Sequence, residues 1–185
     1  MAGHVQAATL NNTTGIVSPA QTITFDELVF ANNTTITLQY SSLGATFSPN
    51  LYYDPSGKNA YNSVPNISGN YLANFYPGYV DPFNINFSIA QTNAAFALAT
   101  NPGTTTFNAY LGGTLVESFS AATSYSQSND FYGFTGISFD RIEILPGGNN
   151  LAIVDNLQMA TVPEPSTFVL AGLGAAALVI FRRRR

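Results

Sequence analysis

The side chains in this chain that could do chemistry are few: ten Asp and Glu, ten Tyr, six Lys and Arg and one His in 185 residues, with no Cys. Without thiols, and with His4 as the only imidazole, disulfide frameworks, thiolate catalysis, Cys/His zinc sites and His-based triads are excluded. Two-carboxylate hydrolysis of a glycosidic bond needs only a pair of acids. Asp54, Asp81, Glu117, Asp130 and Glu143 offer such pairs, but no motif or supporting base singles one out, so they read as solvated surface acids and the chain as a non-enzyme. The tyrosines crowd into one stretch, with Tyr52, Tyr53, Tyr61, Tyr71, Tyr76 and Tyr79 between Leu51 and Tyr79. Such rings either stack on sugar faces, with Tyr52 and Tyr53 as the ligand contacts, or pin loops to a core. The Asn-x-Ser/Thr triplets at Asn11, Asn12, Asn32, Asn33, Asn66 and Asn86 match a glycosylation pattern and equally report a turn-rich composition.

Four of the six basic residues are Arg182, Arg183, Arg184 and Arg185, leaving an acidic body with Lys58 and Arg141 alone. Phosphate binding needs clustered cations, so a nucleic-acid partner is not expected. Three other acidic sites stand out by parity. In Ile23-Thr-Phe-Asp-Glu-Leu-Val-Phe30 the apolar positions are odd (Ile23, Phe25) and then even (Leu28, Phe30); Ile137-Ser-Phe-Asp-Arg-Ile-Glu-Ile144 makes the same change. A one-residue slip would turn a whole face to solvent, so β-bulges are predicted at Asp26-Glu27 and Asp140-Arg141. Asp155 shares parity with Leu151, Ile153 and Leu157 and is predicted to point inward, where a carboxylate requires a cation or several hydrogen-bond donors.

The elements that must position these residues are strands. Phe83, Ile85, Phe87 and Ile89 alternate with Asn84, Asn86 and Ser88, giving one buried face. Thr104–Leu111 and Thr114–Phe119 flank Gly112-Gly113, whose freedom at positive φ suits a two-residue hairpin. Further strands are predicted over 21–30, 34–40, 45–48, 95–100, 136–145 and 150–159, and the Pro- and Gly-rich stretch 51–79 as long surface connections. Many short strands with no amphipathic helix between them predict an all-β, jelly-roll-like antiparallel β-sandwich over residues 9–160.

The two ends read differently. Phe168–Phe181 is almost wholly apolar and is followed by the four arginines. A helix over 167–181 would span about 22 Å, short of the ~30 Å hydrocarbon core, but terminal arginines can snorkel to cytoplasmic headgroups while Pro163 and Pro165 stop the helix at the other end. A single C-terminal transmembrane helix is therefore expected, with residues 182–185 as a cytoplasmic tail and the acidic body outside. Val5-Gln6-Ala7-Ala8-Thr9 has the small residues of a signal-peptide cleavage site without a basic or apolar region before it. Residues 1–8 are thus expected to be a signal-peptide remnant whose start lies upstream of Met1; an ordinary disordered N-terminus is the alternative.

Val162-Pro-Glu-Pro-Ser166, a short apolar span and a terminal Arg run resemble the PEP-CTERM sorting signal of Gram-negative, biofilm-forming bacteria. The resemblance implies a linker at 161–166 with Pro163, Glu164 and Pro165 as the sorting motif, an exosortase as partner, an inner-membrane-anchored precursor, and release or re-attachment at the cell surface or in the extracellular matrix. More loosely, Ile23-Thr-Phe-Asp-Glu-Leu28, Tyr110-Leu-Gly-Gly-Thr-Leu-Val116, Ile137-Ser-Phe-Asp-Arg-Ile142 and Val154-Asp-Asn-Leu157 resemble a sandwich module common in PEP-CTERM proteins and similar to galactose-binding-like jelly rolls, in which the first and last strands run side by side. That likeness implies that Asp26 or Glu27 lies near Asp155, an oxygen-rich set suited to calcium as the one cofactor. The competing expectation is that Asp155 caps a turn through backbone N–H groups. The function expected is a structural, non-enzymatic surface or matrix protein; the alternative is a module binding exopolysaccharide through the 51–79 loops.

Overall fold

The computed structural model describes residues 8–55, 64–75, 78, 82–147 and 151–161. These form eleven antiparallel strands and one short 3-10 turn: β1 (Ala8–Asn12), β2 (Gln21–Ile23), β3 (Thr34–Thr35), the turn Ser41–Leu43, β4 (Ala45–Phe47), β5 (Tyr52–Asp54), β6 (Tyr71–Ala73), β7 (Phe83–Thr100), β8 (Gly103–Leu111), β9 (Thr114–Thr123), β10 (Phe131–Leu145) and β11 (Ala152–Ala160). The order is β3-β5-β6-β11-β7-β10-β8-β9, with β1 also on β10, β2 on β11 and β4 on β7. The architecture is all-β, antiparallel and sandwich-like, and β2, near the start, does pair with the last strand, Ile23 opposite Leu157.

Two strands are longer than their sequence predicts. The expected pieces at 83–89 and 95–100 are one 18-residue strand, and 136–145 belongs to a 15-residue strand that begins at Phe131. The sequence hides this because inward parity changes within each. In β7 the residues facing the main core are Phe83, Ile85 and Phe87, then Ala94, Phe96 and Leu98, with Ser88, Ile89 and Ala90 exposed between them. In β10 the pairing with β7 skips on both sides of Phe139; at Asp140 the surplus residues are Phe87–Ala90 of β7, so the parity change falls where predicted but the bulged strand there is β7. Long strands that change parity can serve both layers of a sandwich.

The main core gathers Phe25, Tyr40, Phe83, Phe96, Phe107, Tyr132, Phe134 and Phe139, all fully buried. A smaller cluster lies on the opposite face of β7, where Ala95, Ala97 and Ala99 meet Ile16, Val64, Ile67, Tyr71 and Ile153. The alternation of Ala with Ala, Phe and Leu over 94–99 thus marks a strand buried on both faces. The loop 64–70 covers the small cluster, and this coverage positions the site.

Several expectations are corrected. The strand predicted over 21–30 ends at Ile23; Phe25 has φ 60°, a left-handed turn, and Val29 is 83% exposed. The parity change at Asp26-Glu27 is therefore a turn and not a bulge. Likewise the strand predicted over 34–40 stops at Thr35, and the 51–79 stretch contains β5 and β6 instead of surface connections alone. Gly112 and Gly113 adopt φ 56° and 84°, as the hairpin requires. No helix among the described residues is long and apolar enough to cross a membrane. The helix expected at 167–181, the arginine tail, the sorting linker from 162 onward and residues 1–7 lie outside the described residues.

Candidate functional site

Three carboxylates from distant parts of the chain converge on the loop that runs through Asn66, Ser68 and Asn70. Asn66 N–H donates to Asp130 Oδ2 at 2.9 Å, Ser68 N–H to Asp155 Oδ2 at 2.9 Å and Asn70 N–H to Asp26 Oδ1 at 2.9 Å. Alternate amides of one loop therefore end on acids from the entry to β10, from β11 and from the turn after β2. The side chains extend the pattern: Asn66 Nδ2 donates to Asp130 Oδ1 (2.6 Å) and to Thr13 O (3.0 Å), Asn70 Nδ2 to Asp26 Oδ1 (2.6 Å), and Asn156 Nδ2 to Asn66 O (2.8 Å). Gly69 fits because it has no Cβ: its φ is +66°, and a Cβ there would stand 2.5 Å from Asp26 Oδ2.

Asp155 is the most enclosed of the three that parity singled out. It is 1% exposed, on the inward side of β11. Its second oxygen, Oδ1, accepts the N–H of Asn156 at 2.6 Å. Asn156 takes φ 48°, and the register between β11 and β7 slips between Asp155 and Gln158, a bulge that no parity change in the sequence marks. Burial pushes the Asp155 carboxyl up to about 8, the two backbone donors oppose the shift, and the charges of Asp26 and Glu27 add to it. Asp130, fully buried, is also raised by burial against the pull of the two Asn66 donors.

The calcium expectation is met in placement and not in coordination. Asp26 and Asp155 do come to one loop, and Glu27 is close enough for its charge to act on Asp155. The Glu27 carboxylate, however, turns back to accept Thr24 N–H at 2.8 Å and Thr24 Oγ1 at 3.0 Å. Among the described residues no three acids or imidazoles are grouped to hold a metal ion. Both oxygens of Asp155 face N–H donors, which is the turn-capping arrangement and presents positive ends where a cation would have to sit.

The tyrosine pair divides. Tyr53 is fully buried, its hydroxyl donating to Leu28 O at 3.1 Å and its ring edge-on to Phe30 at 5.4 Å, so it pins the turn after β2 to the core and cannot stack on a sugar. Tyr52, next along β5, is half-buried. Tyr71 is buried and donates its hydroxyl to Asp54 Oδ2 at 3.1 Å. Tyr61, Tyr76 and Tyr79 lie outside the described residues, as does Asp81. The acids considered for hydrolysis have separate partners: Glu143 takes Asn108 Nδ2 and the Tyr110 hydroxyl, and Glu117 takes the N–H of Ser118. Asp130, read as a surface acid, is buried; the polar run Asn66-x-Ser68-x-Asn70 was the sequence signal that could have found its donors.

Residues 161–185 match the PEP-CTERM protein-sorting motif. No curated protein matches the chain. Among solved structures, CsCBM6-3 from Clostridium stercorarium in complex with cellobiose is similar at 15% identity and a TM-score of 0.35, over 72% of this chain and 95% of that one. A likeness of that extent says nothing about what this chain binds.

Proposed function

We propose that this chain is an exosortase substrate: an exported protein whose precursor is held at the inner membrane by residues 167–181, with Arg182–Arg185 on the cytoplasmic side, and whose β-sandwich body reaches the cell surface or extracellular matrix. The observation that carries the reading is the sorting motif over residues 161–185, which bears an export and processing meaning independent of the body. Pro163 and Pro165 restrict their own φ and disfavour helix in the residues before them, so the sequence Pro163-Glu164-Pro165 favours a stiff, extended acidic mark ahead of the apolar span. Such a mark suits an enzyme working at the membrane face.

The body's role in this reading is structural. Its best-built polar site is given over to holding one loop, both oxygens of Asp130 and of Asp155 and Oδ1 of Asp26 being matched to amide donors of the chain itself. Groups already paired in this way are poorly placed to act as acid or base on a substrate. Mass spectrometry of the mature protein in a strain with active exosortase tests the sorting part: the C-terminus should fall at or close before Pro163-Glu164-Pro165, and Pro163→Ala combined with Glu164→Ala should leave the tail attached. Intact tail on fully surface-exposed wild-type protein would overturn the assignment.

A further inference from the structure

The geometry points to the outer edge of β9 as a pairing surface for a second copy of this chain, joined antiparallel about Phe119. Among the described residues β9 ends the sheet order, with β8 as its one strand partner. Its ten residues, Thr114-Leu-Val-Glu-Ser-Phe-Ser-Ala-Ala-Thr123, carry a single charge, Glu117, and no Pro or Lys. Those are the residues with which natural edge strands are blunted, and without them an edge offers its unpaired N–H and C=O groups as a template.

Hydrogen bonds show which groups face outward and how far the open stretch runs. Ser118 N–H is turned away from β8 and onto its own neighbour, Glu117 Oε1, at 3.0 Å. Four residues on, Ala122 O receives the Tyr132 hydroxyl at 3.3 Å. The even-numbered residues 118, 120 and 122 therefore direct their backbone groups to the edge, as the period of two requires. At one end the register slips, because Ala109 faces Glu117 while Tyr110 faces Leu115, which leaves Val116 in a bulge. At the other end Tyr132 covers Ala122. Among the described residues the regular, uncovered edge is Glu117–Ala121, and its centre is Phe119.

A two-fold axis through that centre sets Ser118 opposite Ser120 of the second copy, and the reverse, so that both pairs exchange two backbone hydrogen bonds. The Glu117 carboxylate that covers Ser118 N–H is exchanged for a carbonyl. On the inner face Phe119 meets Phe119 and Glu117 meets Ala121, so no like charges stand opposite each other. Phe119 is half-buried, stacked on Phe107 at 4.8 Å between centroids, and has ring surface left for a second ring. The outer face carries only small polar side chains at the junction. A second copy fits where a charged partner does not, since the edge has one charge to read and that charge pairs with Ala121.

The chain has no cysteine, so engineered thiols report the register directly. Full-length chain in nonionic detergent, mixed as equal parts Ser118→Cys and Ser120→Cys and oxidised mildly, should give the mixed disulfide well above its statistical share, because those positions are directly opposite and each is diagonal to itself. Thr114→Cys, about 33 Å from its own copy in this register, should cross-link far more slowly. Sedimentation equilibrium of the wild type should show a dimer lost in the double variant Ser118→Lys, Ser120→Lys, whose exposed positions leave the far-ultraviolet circular dichroism unchanged. A wild-type monomer at all soluble concentrations, a dimer that survives the double substitution, or cross-linking without preference for the mixed pair would each overturn the proposal.

Discussion

Asp155 couples folding to pH in a direction opposite to that of a salt-bridged carboxylate. Its folded value of about 8 lies above the ordinary 3.8, so the fold favours the protonated form. The contribution is fully present below about pH 4 and is lost as pH rises through about 8, a change on the order of a few kcal/mol. Asp130 is shifted the same way. Denaturant titrations from pH 4 to pH 9 should therefore show stability falling as pH rises, and Asp155→Asn should flatten that slope. The Asn variant should also lose a pH-independent ~1–3 kcal/mol, because an amide cannot accept from both Ser68 N–H and Asn156 N–H. A slope unchanged by Asp155→Asn would refute the coupling. With both oxygens so engaged, thermal melts in calcium and in chelator are expected to coincide; a calcium-dependent shift abolished by Asp155→Ala would restore the metal.

The loop 64–70 buries Val64 and Ile67 in the small cluster and is held further by three bonds from alternate amides. Its tightest point is Gly69, where positive φ and the Asp26 carboxylate both exclude a side chain. Gly69→Ala should destabilise the fold by roughly 1–3 kcal/mol. In the double variant Asp26→Ala, Gly69→Ala the steric part should vanish while the conformational part stays, so a double-mutant cycle by chemical denaturation should show non-additivity. Strict additivity would mean that the two residues do not meet. The β8–β9 hairpin was readable in advance because Gly112-Gly113 fixes it locally. The short strands β5 and β6 were not, since Tyr52–Asp54 and Tyr71–Ala73 lie among Pro and Gly residues and become strands by pairing with each other and with β3 and β11.

At the scale of the molecule, body and tail are separable statements. The sorting motif is short and contiguous, whereas the sandwich brings Asp130, at the entry to β10, and Asp155, on β11, to one loop from distant parts of the chain. Transfer of residues 161–185 to an unrelated exported domain should therefore confer exosortase-dependent processing, read as a mass shift at the C-terminus. Absence of that shift would mean that the body contributes to recognition.

The sorting motif, the all-β class, the hairpin, the parity change at Asp140 and the inward position of Asp155 were determined by the sequence alone, because each depends on residues adjacent in the chain or on a period of two. Only the tertiary structure decided what surrounds Asp155. Its donors come from Ser68 and Asn156, its electrostatic neighbours from the turn at Asp26-Glu27, and the burial of Asp130 from a loop that ends more than fifty residues earlier. The local pattern around Asp155 would be the same with calcium or with amides opposite it. Which of the two faces the carboxylate depends on where the chain closes, and that closure is set by the packing of the 64–70 loop on the doubly buried strand β7.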